Sequence, residues 1–258
     1  MAKRGGSGTR AEELYERLRS DVFMGRLRPG QRLKFPDLCE MYGTSVGPAR
    51  EALTRLTSER LVTLQAHLGY AVAALSSDEL TDLTTARVEL EGLAFGHAIR
   101  SGDERWEADV VATHHMLVLR ERQARGGVRG DDWHLAHEAF HAALLAGCGN
   151  RRLVQIAQDL RAETQLYRRW AAPLLGEANR DPAAEHAALA DAALSRDVEQ
   201  GVQLLRDHIA HTTQMLLVGL VEMQASDVDR ELLGGGDRTG SPRAATAAPV
   251  ELSDQEVT

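Results

Sequence analysis

From Ser77 to Met223 this 258-residue chain carries helical periodicity almost without a break. Apolar residues recur three and four apart, and the interruptions are short and rich in Gly or Pro: Ser101-Gly102-Asp103, Gly126-Gly127-Val128-Arg129-Gly130, Gly147-Cys148-Gly149-Asn150, Pro173 and Asp181-Pro182. That spacing argues for helices against strands, which need a period of two. Short connections make successive helices neighbours, so the span predicts an all-α bundle of six to seven helices. Expected helices cover 77–100, 104–125, 132–146, 151–171, 182–195 and 198–224. Ser76-Ser77-Asp78-Glu79 is a capping signature for the first, and Leu80, Leu83, Val88, Leu90, Leu93, Ala94 and Ile99 make its expected apolar face.

The first 74 residues read differently. Leu14, Leu18, Val22 and Phe23 recur at helical spacing between Arg10 and Gly25, and Pro29-Gly30 then supplies a turn. Phe35–Tyr42 is expected to form a short helix closed by Gly43. Thr44 or Ser45 is the expected cap of a third helix, Val46–Glu59, with Ala49, Leu53 and Leu56 toward a core. Residues 61–65 and 70–73 are β-prone runs around a turn, a hairpin signal. Helix, helix, turn, helix, hairpin is the order of a winged helix-turn-helix, whose third helix enters the major groove of DNA. The expected fold is therefore mainly α: a winged helix-turn-helix over 10–74 and an all-α bundle over 77–230. Residues 1–9 and 234–258 are expected to be disordered.

Charge divides the chain at the same place. Residues 1–74 carry 12 Lys and Arg against 8 Asp and Glu, and the remainder 18 against 30, so the net −8 hides a basic front on an acidic rear. A basic first quarter suits a polyanion, with Arg32, Lys34 and Arg55 as candidate phosphate contacts. No uncharged apolar run approaches the ~20 residues that a membrane helix needs. No apolar signal segment follows Met1, and Cys39 and Cys148 lack paired spacing. A cytoplasmic protein with reduced thiols and no membrane partner is the expectation.

Three of the ten histidines, His134, His137 and His141, lie three and four apart within Asp132–Leu145. On a helix they share one face, and imidazole is a common nitrogen ligand of transition metals. His137 to His141 also reads H-E-x-x-H, which in zinc proteases joins two ligands to a general base, here Glu138. Glu163 is available downstream as a third ligand. The stretch thus suits a metal-dependent hydrolase, a metal-assisted sensor, or packed histidines in a metal-free bundle behind a DNA-binding head.

Several stretches resemble a known family. Gly25-Arg-Leu-Arg-Pro-Gly-Gln-Arg-Leu33, Asp37-Leu-Cys-Glu-Met-Tyr-Gly-Thr-Ser45, Pro48-Ala-Arg-Glu-Ala-Leu-Thr-Arg-Leu56 and Gly69-Tyr-Ala-Val72 look like the DNA-binding domain of GntR-family transcription regulators. Phe140-His-Ala-Ala-Leu-Leu-Ala-Gly-Cys-Gly-Asn150, Ala86-Arg-Val-Glu-Leu-Glu-Gly92 and the stretches around His186 and His208 resemble the FCD effector-binding domain of its FadR-type branch. The resemblance implies a dimeric, ligand-responsive repressor rather than an enzyme, acting on double-stranded operator DNA.

On the DNA side the resemblance makes Arg50 the recognition-helix arginine. It puts Ser45, Gly47 and Thr54 where the family touches bases or phosphates, and His67 and Gly69 at the wing tip. Pro36, Val46 and Leu68 depart from it, each standing where the family commonly has an arginine or a polar residue. On the effector side it implies one divalent metal ion per subunit, held by an Asp and three His. The three match His141, His186 and His208, and His137 stands in the Asp position. Replacing an oxygen ligand by nitrogen favours zinc, with nickel or another borderline metal next, over manganese or magnesium. A small carboxylate effector would bind beside it, clamped by Arg87, with Glu91, Asn150, Glu163, Tyr167 and Arg168 as further candidates and His134 as a reserve ligand.

Overall fold

The apolar stripe of α1 (Ser7–Phe23) buries Leu14, Leu18 and Val22 against a small core. This computed structural model describes residues 7–123, 130–171 and 181–234. Readings that fall on 1–6, on the Gly126-Gly127 break, on Pro173 or on the tail from 235 lie outside them. Within the arm expected to be disordered, Ser7 to Thr9 are helical; small polar residues suit a first turn, whose N–H groups have no helical acceptor.

α2 (Phe35–Tyr42) tolerates Pro36 in its first turn, where an N–H would go unused, and ends at Gly43 with φ 62. α3 (Val46–Ser58) buries Ala49, Ala52, Leu53 and Leu56. Ser45 takes the extended backbone of an N-cap, but its hydroxyl makes no capping bond. β2 (Val62–Gln65) and β3 (Gly69–Val72) form the antiparallel hairpin, Leu64 opposite Tyr70. β1 (Arg32–Leu33), expected only as part of a turn, pairs with the other edge of β3, Arg32 opposite Ala71. Two residues are too few to show alternation, so only the partner strand reveals it. The sheet order is β1-β3-β2.

Six helices follow among the described residues: α4 (Ser77–Ser101), α5 (Glu104–Gln123), α6 (Asp131–Ala146), α7 (Arg151–Ala171), α8 (Pro182–Leu194) and α9 (Val198–Gly234). Ser76 caps α4, its Oγ accepting from the N–H of Glu79 at 3.2 Å, and Asp181 caps α8 through the N–H of Ala184 at 3.0 Å. α9 runs through Gly234 instead of ending at Gln224. Phe95, Ile99, Val110, Phe140, Leu144, Leu189, Leu205 and Ile209 belong to the bundle core. Each such side chain contributes roughly 1.5–3 kcal/mol by burial.

The inward face of α4 carries the expected Leu80, Ala94 and Ile99, with Val88 packed beside them, but differs from expectation at two kinds of position. Leu93 is 51% exposed, while Arg87, Glu91 and Phe95, four apart, are fully buried. Charged residues can occupy an interior face when they satisfy one another, and apolarity alone then leaves them out of it. The described residues up to Met223 form one compact unit, in which Leu166 of α7 belongs to the core built by α1, α2, α3 and the sheet. Among the described residues no helix is long and apolar enough to cross a membrane.

Candidate metal centre and nucleic-acid interface

α6 turns Trp133, His137, Phe140, His141 and Leu144 inward, the three-and-four spacing of one buried stripe. His186 on α8 and His208 on α9 approach from two further helices, and all four imidazoles are buried. One nitrogen from each lies within 4.8 Å of the others. Ring centroids are 4.6 Å apart for His137 and His141, 4.9 Å for His186 and His208, and 5.0 Å for His141 and His208. Four nitrogens held at ~2.1 Å by one tetrahedral cation stand ~3.4 Å apart, so modest ring rotations would close this set.

Neither nitrogen of His141, nor Nε2 of His186, has a hydrogen-bond partner among the described residues. Buried polar atoms without partners cost free energy unless something takes their lone pairs. An all-imidazole donor set therefore fits a borderline cation such as zinc. Nδ1 of His208 lies 2.7 Å from Oε2 of Glu185, the carboxylate–imidazole pairing that orients metal-bound histidines. Trp133 stacks on His137 with centroids 4.9 Å apart. Burial, reinforced by Arg168, holds His137 well below the usual imidazole pKa; burial with Arg161 does the same for His141, and burial with His137 for His186. All three are neutral at pH 7, the form with a lone pair to give. His134 stays outside the set, half-buried, and burial pulls it down to about 4.

Three buried arginines and two glutamates border the cluster. Arg87 donates from Nε to Glu91 at 2.6 Å and from Nη1 to Oγ1 of Thr164 at 3.2 Å. Arg161 bridges Glu91 at 3.3 Å and Glu138 at 3.2 Å. Arg168 donates from Nη1 to Nδ1 of His137 at 2.9 Å and to Glu138 at 3.3 Å. Three guanidiniums on two carboxylates leave a surplus of positive charge. Nη2 of Arg87 and Nε of Arg168 have no partner among the described residues. Burial lowers Arg168 to about 9, against the pull of Glu138, so it remains cationic at neutral pH. Burial alone would raise Glu138, but Arg161 and then the contacts to His137 and Arg168 outweigh it and hold the carboxylate well below its ordinary value.

Of the residues expected around an effector, Arg87, Glu91 and Arg168 lie at the cluster and three do not. Asn150 is exposed and caps α7, its Oδ1 accepting from the N–H groups of Arg152 and Leu153. Glu163 pairs with Arg60 at 3.1 Å. The Tyr167 hydroxyl lies 3.4 Å from the backbone N and O of Ser76. Helical phase separates them: Arg161, Thr164 and Arg168 share one side of α7, Glu163, Tyr167 and Trp170 the other. Arg161, absent from the sequence-based candidates, was detectable as the residue seven before Arg168 on the same stripe. A hydrolase arrangement has no support, since two arginines hold Glu138 and Glu163 faces Arg60.

At the other core, Ser45, Gly47, Arg50 and Thr54 are exposed on α3. The Arg50 guanidinium lies 5.1 Å over the ring of Phe35, and the space beside Gly47 is open. Arg32 and Lys34 are exposed, as are His67 (φ 63) and Gly69 (φ 82) at the turn of the hairpin. Val46 and Leu68 present apolar surface, 45% and 52% exposed. Arg55 is exposed on the same helix and has partners of its own. It pairs with Glu12 and, at 3.8 Å, with Glu59, and lies 3.6 Å over the ring of Tyr15, so it ties the end of α3 to α1.

Comparison with known proteins matches each of the two domains to a family. Residues 10–72 match the family model described as bacterial regulatory proteins, gntR family, and residues 82–211 match that of the FCD domain. The chain is 37% identical to the HTH-type transcriptional repressor GlaR of Escherichia coli over 76% of this chain and 90% of that protein. It is 38% identical to the HTH-type transcriptional regulator BphR of Paraburkholderia xenovorans, over 77% and 81% respectively. Among solved structures, Escherichia coli McbR/YncC shares the fold with TM-score 0.63 at 20% identity, covering 84% of this chain and 98% of that one.

Proposed function

Because this chain belongs to the gntR family of bacterial regulatory proteins, with an FCD domain behind the DNA-binding domain, and is a transcriptional regulator of that type, we propose that it is a homodimeric, cytoplasmic repressor released from operator DNA by a small carboxylate bound in its bundle. The observation that carries this reading is the set of four buried imidazoles, three of their nitrogens without hydrogen-bond partners among the described residues, bordered by buried arginines.

His137, His141, His186 and His208 would hold one zinc ion per subunit, nickel being the next choice. A divalent cation there supplies an electrophilic centre for a carboxylate oxygen. Arg87 and Arg168 each offer a buried N–H that nothing among the described residues accepts. A charge-assisted contact to a carboxylate would satisfy both. Glu91 and Glu138 hold these guanidiniums in place beforehand, so little side-chain ordering remains to oppose binding.

Residues 10–74 serve as the DNA-binding head and 77–230 as the metal, effector and dimerisation domain. Arg50, Ser45, Gly47 and Thr54 face the major groove, Arg32 and Lys34 the phosphates, and His67 and Gly69 the flanking backbone. A two-fold dimer presents two recognition helices one helical turn of DNA apart. The effector shifts the heads only as far as it binds one arrangement better than the other.

Native mass spectrometry and elemental analysis of protein purified without added metal test this reading. The expected result is a dimer with one zinc per subunit; a metal-free monomer would refute both the site and the assembly.

A further inference from the structure

Helix α7 touches the imidazole cluster with one side and the DNA-binding head with the other. On the first side are Arg161, Thr164 and Arg168, bonded to Glu91, Glu138, Arg87 and His137. On the second, Leu166 is buried in the core of the head, and Glu163 pairs with Arg60. Trp170 is two residues beyond Arg168 on this second side. Its indole N–H donates to the carbonyl of Val22 at 3.0 Å. Its ring lies 3.4 Å from where a Cβ on Gly25 would stand, at a residue with φ +76.

We propose that Trp170 is the positioning residue through which occupancy of the imidazole cluster reaches the DNA-binding head, with α7 as the rod between them. The proposal rests on the reading of the cluster as a cation and carboxylate site. Arg168 and Trp170 are ~3 Å apart along one unbroken helix, and packed helices shift as units. A turn of α7 that re-aims Arg168 must therefore move the indole as well.

The other contacts on that side are poorer carriers. The ion pair of Glu163 with Arg60, whose side chain is 71% exposed, is of the kind that contributes little. Leu166 has no directional bond. The indole N–H is directional, and it adds a second, shorter bond to the Val22 carbonyl at the end of α1, which otherwise accepts only from the N–H of Gly25 at 3.3 Å among the described residues. Gly25 packs against the ring with a backbone at φ +76 that side chains rarely adopt, so glycine keeps this turn unstrained. Arg169 also lies 4.5 Å over the ring of Phe23, but it is held at its other end by Asp131 of α6, so among these contacts the indole is the one that ties the end of α1 to α7 by a directional bond.

Amide hydrogen exchange across Asp21–Leu27 in the full chain, with and without Zn(II), tests this, with bound zinc measured in parallel. In the unaltered protein, zinc should change exchange there by roughly threefold or more. Trp170→Ala should bind zinc at unchanged stoichiometry and lose that change. Trp170→Phe keeps a ring against Gly25 without the N–H, which guards against collapse of the head in the alanine variant; its response should fall clearly below that of the unaltered chain. A full response in either variant overturns the proposal, as does zinc uptake by the unaltered protein with no change at Asp21–Leu27. Failure of the unaltered protein to bind zinc at all would defeat the reading of the cluster itself.

Discussion

Nη1 of Arg168 lies 2.9 Å from Nδ1 of His137, so a guanidinium rests against one of the four imidazoles that converge in the bundle. A cation entering the cluster would meet that positive charge. Arg168→Gln should tighten zinc binding by about tenfold or more, since charges a few ångströms apart at an effective dielectric near 20 interact by several kcal/mol. It should also weaken any carboxylate response. Competition against a chromophoric chelator reads the first effect; an unchanged or weaker zinc affinity would count against the electrostatic account.

Glu185 and His141 should differ in how much they matter to metal. Glu185 orients His208 without being one of the four imidazoles, so Glu185→Gln should cost about 10–100-fold in zinc affinity. His141→Ala removes a donor outright and should cost more than that. Equal effects in a chelator titration would mean that the carboxylate is itself a ligand or that His141 is not.

Acid should weaken the metal-free fold. Burial holds His137, His141 and His186 below the value of 6.5 that they have when unfolded, and pulls His134 down to about 4. Between the folded and unfolded values the unfolded chain carries more protons. Stability is therefore full above pH 6.5 and is lost as pH falls toward the folded values, by up to ~1.4 kcal/mol per pH unit for each group. Urea midpoints compared at about pH 7.5 and 5.5 should fall with acid, and a flat profile would contradict the burial of neutral imidazoles.

Two arginines on α3 should separate DNA binding from stability. Arg50 is exposed over Phe35, and Arg50→Ala should reduce operator affinity by roughly the 1–3 kcal/mol of one good base contact while the thermal midpoint holds. Arg55 is bound to Glu12, Glu59 and Tyr15, so Arg55→Ala should lower the thermal midpoint with a smaller loss of affinity. Fluorescence anisotropy on a genomic fragment recovered by the protein, beside a melting curve, distinguishes the two, and the reverse pattern would exchange their roles.

Much of this architecture was legible in the residues themselves. Helix ends followed from local chemistry at Gly43, Ser76 and Asp181, where one backbone angle or one side chain decides the boundary. His137, His141, His186 and His208 were identifiable through the family resemblance, and the structure brings one nitrogen from each within 4.8 Å of the others. Less legible were β1, which exists only because β3 lies beside it, and two charged members of the inward side of α4, Arg87 and Glu91, which apolarity passes over in favour of the exposed Leu93.

The sequence by itself determined the helical character, the hairpin and the spacing of the histidines, because these depend on neighbours within a turn or two of the same helix or strand. Only the tertiary structure decided what each side of α7 faces: Arg161 joins the cluster, while Glu163, Tyr167 and Trp170 turn toward the head and the start of α4. Both sides of that helix are largely buried. Periodicity can report that a position is covered, but what covers it is set by contacts between residues scores of positions apart, which local spacing does not encode.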